Sequence, residues 1–143
     1  MATGVFTIRL ERPPEAVFPL VANLERAPEW VPDLVSVTKQ TPGAIGPGTR
    51  YSEVVRMGNN TGTGQLEVVE YEPPLNFMHK GESGPARFVG RFTLEPDGSG
   101  TLLTHEYTVK LKGLFRFLDP LIGGWVGRNA QAGLANLSRI IDG

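Results

Sequence analysis

The sequence predicts an α+β fold: a curved antiparallel sheet wrapped around one long C-terminal helix, with two short helices near the N-terminus. Three observations lead there. Val35 to Leu111 reads as a run of strands of alternating polarity, Leu114 to Ile141 as one long helical segment, and Pro14 to Val31 as a short helical pair. Short connections between strands favour antiparallel neighbours. A long helix laid across such a sheet encloses a space between the two layers.

Each element has a local reason. Phe6, Ile8 and Leu10 alternate with Thr7, Arg9 and Glu11, the pattern of a half-buried strand, and Pro13-Pro14 stops it. Pro14 suits the first turn of a helix, where its missing N–H costs nothing. Val17, Leu20, Val21 and Leu24 then recur at helical spacing. Ala27 to Trp30 reads as the second short helix, ended by Pro32. Val35 to Gln40 is a short strand. Five stretches follow as a meander: Thr49–Met57, Gln65–Tyr71, Asn76–Lys80, Ala86–Glu95 and Thr101–Lys112. GNNTGTG, Pro73-Pro74, GESGP and Asp97-Gly98 punctuate it; the last of these is a strong hairpin signal. In the final segment most apolar residues from Leu114 to Ile141 fall on one helical face. Pro120 should start the main helix, with Asp119 as N-cap, or kink it. Gly123, Gly124 and Gly127 each cost up to about 1 kcal/mol in a helix interior. They serve either close packing on the sheet or a segment that opens over a pocket.

The chain has 143 residues and fits one domain spanning residues 1–143, with no repeat, linker or low-complexity tract. A net charge of −1 argues against a general nucleic-acid binder, which needs a basic stripe. Without Cys there are no disulfides, thiolate nucleophiles or Cys-ligated metals. The N-terminus lacks the apolar core of a signal peptide, and no apolar run is long enough for an integral membrane segment, so the expected location is cytoplasmic. No GxGxxG, Walker, GxSxG or HExxH pattern occurs, and no cofactor or metal is expected.

Strand periodicity assigns the inward face. Phe88, Phe92 and Leu94 share a face with Gly90; Leu103, His105, Tyr107, Val109 and Leu111 share another; Tyr51, Glu53, Val55 and Met57 a third; Phe77 and His79 a fourth. The expected interior is aromatic and aliphatic, with Tyr51, Glu53, His79, His105 and Tyr107 as its polar members. A few polar groups in an apolar concavity is what a small-molecule pocket requires. Trp30 and the helix residues Leu118, Ile122 and Trp125 complete the expected ligand-binding set. Glu53, His79 and His105 are the candidate acid–base groups, since His titrates near neutral pH and a buried carboxyl is pushed toward it. The ordinary alternative is a satisfied core histidine and a paired strand carboxylate. These three have zinc-ligand chemistry, but nothing in their spacing supports a metal site.

The block order, together with PPEAVFPLVANLERAPEWVPDL, GPGTRY leading into the third strand, EVVEYEPP and FTLEPDGSGTLLTHEY, resembles the helix-grip fold of the START and birch-pollen-allergen (SRPBCC) superfamily. It is most similar to the polyketide cyclase/dehydrase-like branch. The resemblance spans essentially the whole chain and implies a cavity between sheet and helix, with Trp30 near it. Its motifs are structural and carry no catalytic triad, and a shared fold licenses no reaction by itself. Three functions follow as expectations. The first is binding or transport of a small hydrophobic or amphipathic ligand, lipid-like or polyketide-like. The second is a polyketide cyclase, aromatase or dehydratase acting in the same cavity. The third is an interaction module in which GLFRFLDPLIGGW docks on a partner or a membrane surface, a homodimer included.

Overall fold

The computed structural model describes residues 1–143. Seven strands form one antiparallel sheet: β1 (Ala2–Leu10), β2 (Leu34–Lys39), β3 (Arg50–Met57), β4 (Asn60–Glu72), β5 (Asn76–Ser83), β6 (Ala86–Asp97) and β7 (Gly100–Leu111). Their order across the sheet is β1-β7-β6-β5-β4-β3-β2. Strands β2 to β7 are a meander, as the short connections require. β1 closes against β7, with Phe6 opposite His105 and Gly4 opposite Tyr107.

Helix α1 (Pro14–Ala22) begins with Pro14 in its first turn and buries Val17, Phe18, Leu20 and Val21. The second short helix lies earlier than Ala27–Trp30. It is a 3-10 segment, Leu24–Glu29, which Asn23 caps by accepting the Glu25 N–H at 3.2 Å, and Trp30 terminates it. Pro28 inside it lacks an N–H and keeps it short.

The final helical segment is two elements. A 3-10 segment, Gly113–Leu118, has no buried residue, and α2 (Asp119–Asp142) follows it. Pro120 sits in the first turn of α2 without kinking it. Leu118 holds the cap position in place of the expected Asp119. Asp119 instead accepts from the Leu111 N–H at 3.3 Å and from the N-terminal ammonium of Met1.

The core lies between α1, the C-terminal half of α2 and the inner face of the sheet. It holds Leu10, Val17, Val21, Tyr51, Phe77, Leu94, Leu103 and Leu137 among others. Gly133, Leu134, Leu137 and Ile141 are the buried residues of α2, and they all lie in its last ten positions. There the helix is also clamped by polar contacts: the Glu11 N–H donates to Asp142 at 2.9 Å and Arg12 Nε to the Ile141 carbonyl at 3.2 Å. Its N-terminal half rests on the β1–β7 edge instead. A methyl group on Gly123 would lie 3.3 Å from Ala2 Cβ, and one on Gly127 would lie 3.5 Å from the Tyr107 hydroxyl. Gly123 and Gly127 therefore serve close packing, whereas Gly124 faces outward toward Arg128.

The GNNTGTG stretch departs from the expected loop. β3 runs to Met57, β4 resumes at Asn60, and only Gly58 and Asn59 turn. Gly62 and Gly64 are strand residues because large neighbours lie over them: Met57 over Gly62 and Glu53 over Gly64. Strand pairing there wins over turn-prone composition. Met57, assigned to the inward face by period, is exposed because the strand outruns the core at that end.

Candidate functional site

Three layers of residues bound a cavity of about 240 Å3 between the sheet and α2. The sheet contributes a wall of His79, Phe88, Gly90, Phe92, His105 and Tyr107, and α1 with the 3-10 segment contributes Val21, Leu24, Ala27 and Trp30. The roof is Val126, Asn129, Ala130 and Gly133 from α2. Fourteen of the twenty lining residues are hydrophobic, and none is Lys or Arg, so no fixed positive charge faces the interior.

The wall follows from register. His79, Gly90, Tyr107 and Gly4 align across β5, β6, β7 and β1, and Phe77, Phe92, His105 and Phe6 form the next row. Large and absent side chains thus alternate in the first row. A methyl on Gly90 would stand 2.8 Å from His79 Cε1 and 3.5 Å from His105 Nε2, and one on Gly4 would collide with the Tyr107 ring. The two glycines leave room for three bulky polar side chains to lean over the sheet. The aromatic groups stack along it. Phe92 and His105 lie face to face at 4.1 Å with 8° between planes, Phe77 stacks on His79 at 5.7 Å, and Trp30 meets Phe92 edge-on at 5.9 Å.

Polar atoms in this apolar setting lack internal partners. Trp30 Nε1, His79 Nδ1, His105 Nδ1 and Asn129 Oδ1 are buried with no hydrogen bond from the protein. Such groups cost free energy unless something else satisfies them. Burial pushes His79 down to about 4 and His105 to about 3, the neighbouring His79 adding to the latter, so both imidazoles are neutral at pH 7. Glu53 is 7% exposed, and burial alone pushes its carboxyl up to about 7. Burial also raises Tyr107. The site at neutral pH is therefore nearly uncharged. Its polar lining is Trp30, Asn129, Tyr107, two neutral imidazoles and one carboxyl close to its midpoint.

Seven residues singled out in the sequence line this cavity: Trp30, Glu53, His79, Phe88, Phe92, His105 and Tyr107. Five do not. Tyr51 and Phe77 face the same side of the sheet but are fully buried in the packed core. Burial, with Glu25 and Tyr71 nearby, pushes the Tyr51 hydroxyl up to about 12. Leu118, Ile122 and Trp125 lie off the cavity, and Trp125 is 46% exposed. The helix turns about 100° per residue, so Trp125 points away where Val126 points in. The roof residues Asn129, Ala130 and Gly133 escaped notice because a search for bulky apolar residues finds cores. A cavity is lined where bulk is missing, and the readable signal was the small-residue spacing Val126, Ala130, Gly133. Glu53, His79 and His105 share the cavity, but no three potential ligands converge closely enough to hold a metal ion.

A family model described as polyketide cyclase/dehydrase and lipid transport matches residues 1–142. Solved structures share the fold. A START superfamily protein from Mycobacterium smegmatis superimposes with a TM-score of 0.82 at 18% identity, covering 99% of this chain and 98% of that one. The Zhui aromatase/cyclase from Streptomyces sp. R1128 gives 0.79 at 14% identity, covering 98% and 93%. The di-domain aromatase/cyclase BexL of the BE-7585A biosynthetic pathway gives 0.77 at 19%, covering 97% of this chain and 46% of that one. No curated protein matches the sequence significantly. No helix is long and apolar enough to cross a membrane.

Proposed function

The chain belongs to the polyketide cyclase/dehydrase and lipid-transport family, and from that premise we propose that it binds a small, uncharged ring compound bearing hydroxyl or carbonyl groups. The observation that carries this reading is a mostly apolar cavity that holds no cation and whose few polar lining residues include Trp30, His79, His105 and Asn129. Size agrees. An apolar cavity of about 150 Å3 takes a benzene ring, so 240 Å3 suits one to two rings and is short for an extended acyl chain. Charge agrees as well, since a carboxylate ligand would meet no Lys or Arg and would face Glu53. A ring compound burying about 250 Å2, as large aromatic side chains do, gains roughly 6 kcal/mol from burial. That corresponds to a dissociation constant of tens of micromolar.

The test is native mass spectrometry of freshly purified protein, followed by thermal shift with uncharged phenols and with fatty acids. A co-purified neutral aromatic molecule, or stabilisation by phenols alone, is expected. A bound fatty acid or phospholipid would sink the reading.

A second reading, a cyclase or dehydratase in the same cavity, is favoured by one observation: Glu53, pushed to about 7, lines the same cavity as two neutral imidazoles. A carboxyl with that affinity for protons can both give and take one at neutral pH. The cavity would add proximity by holding a reactive chain folded. Under this reading Glu53→Gln keeps binding and loses turnover of a poly-β-ketone substrate; unchanged turnover would remove Glu53 from the chemistry.

A further inference from the structure

We propose that the 3-10 segment Gly113–Leu118 and the first turns of α2 form a docking surface for an anionic lipid membrane. Leu114, Phe115, Phe117, Leu121 and Trp125 stand between 46% and 89% exposed on successive turns. Leu114 and Phe117 share a face at the three-residue repeat of a 3-10 helix, and Leu121 and Trp125 share one at i,i+4. Scattered exposed apolar residues need no explanation, but a contiguous run of large ones marks an interaction site.

Charge selects the occupant. Residues 112–128 hold Lys112, Arg116 and Arg128 against Asp119 alone, in a chain of net charge −1. Arg116 and Arg128 make no ion pair, whereas Asp119 is already engaged by the Met1 ammonium and the Leu111 N–H. A second copy of the chain would bring like charge against like charge over this face. An anionic bilayer surface attracts it, and Phe and Trp beside Lys and Arg is the composition that settles at the headgroup boundary. The segment would lie on the membrane, since no helix here can cross one. The neighbouring residue Val126 lines the cavity, so docking would bring the roof of the site to the lipid surface. The inference stands apart from the identity of the cavity's ligand.

The experiment is co-sedimentation of the full chain with phosphatidylcholine vesicles and with 3:1 phosphatidylcholine–phosphatidylglycerol vesicles at low salt. Trp emission is read in parallel. Trp30 is buried and Trp125 exposed, so a vesicle-induced blue shift reports Trp125 and should vanish in Trp125→Phe. The anionic vesicles should carry the protein down and the zwitterionic ones should leave most of it behind. Each unit of charge near the surface is worth about fivefold in binding. Arg116→Gln should therefore weaken binding about fivefold and Arg116→Glu about thirty-fold. Phe117→Asp should abolish it with thermal midpoint and phenol binding unchanged, because the side chain is 75% exposed. Absence of sedimentation with anionic vesicles, or full sedimentation of Phe117→Asp, would overturn the proposal. Self-association lost in Phe117→Asp, without vesicle binding, would assign the surface to a second copy and overturn it equally.

Discussion

Replacing Glu53 by Gln should stabilise the protein, and by an amount that depends on pH in a defined way. The Glu53 carboxyl releases its proton near 4.5 when unfolded and, because burial disfavours its charge, only near 7 when folded. Between those values the unfolded state has lost a proton that the folded state keeps, so rising pH favours unfolding. The penalty is absent below pH 4.5, grows through the window and is complete above 7. Its full size is the gap of about 2.5 units at 1.36 kcal/mol each, about 3 kcal/mol. Solvent screening gives little relief, as only 7% of the residue is exposed. Gln keeps the shape and cannot ionise. Urea titrations of both proteins at pH 4.5, 6, 7 and 8 should give coincident curves at the first value. At the last the variant should be about 3 kcal/mol more stable, or roughly 10 °C higher in melting temperature for a chain of this length. Taking the difference at each pH cancels the histidine contributions, which act in an overlapping window. A constant offset at all pH values, or a variant less stable at pH 8, would refute a buried, unpaired carboxyl.

Other consequences follow from the same geometry. The two histidines refuse protons until about pH 4 and 3, while their unfolded forms take them near 6.5, so stability should fall as pH drops below 6.5. In the Glu53→Gln background the slope should reach about 2.7 kcal/mol per pH unit, adding His105→Phe should halve it in acid-unfolding curves, and in the natural protein the opposite slope of Glu53 should offset about half of it. Asn129→Leu replaces a buried, unpartnered acceptor and should stabilise the unliganded protein by about 1 kcal/mol while weakening ligand binding; loss of stability in thermal scans would mean the amide has a structural partner. Gly90→Ala drives a methyl to 2.8 Å from His79 and should cost about 1–3 kcal/mol by overpacking, measured by chemical denaturation. Leu137→Ala, at a fully buried site anchoring α2, should cost about 2–5 kcal/mol; a cost under 1 would argue that the helix is loosely held.

Much of this architecture was legible because its signals are periodic and local. Alternation along β6 and β7 placed Phe88, Phe92, His105 and Tyr107 on one face, and Pro14 and Pro120 marked two helix starts. The strand through Gly62 and Gly64 was hidden because its glycines answer to Met57 and Glu53 on a neighbouring strand, and a local reading sees only turn formers. Tyr51 shares a face with Glu53, but the first packs into the core and the second opens on the cavity. Face is set by the strand, depth by what packs above it. On the helix side hydrophobic bulk points to Leu118, Ile122 and Trp125, whereas the cavity is lined further along α2 by Val126, Asn129, Ala130 and Gly133.

The space under α2 should receive an uncharged ring compound. Calorimetric titration with 2-naphthol and with dodecanoate, on the natural protein and on Ala130→Phe, tests it most directly. One saturable site for 2-naphthol is expected, with a dissociation constant of tens of micromolar, abolished when the phenyl ring fills the roof, and no heat from dodecanoate. Saturable binding of dodecanoate without 2-naphthol, or equal 2-naphthol binding by Ala130→Phe, would contradict it.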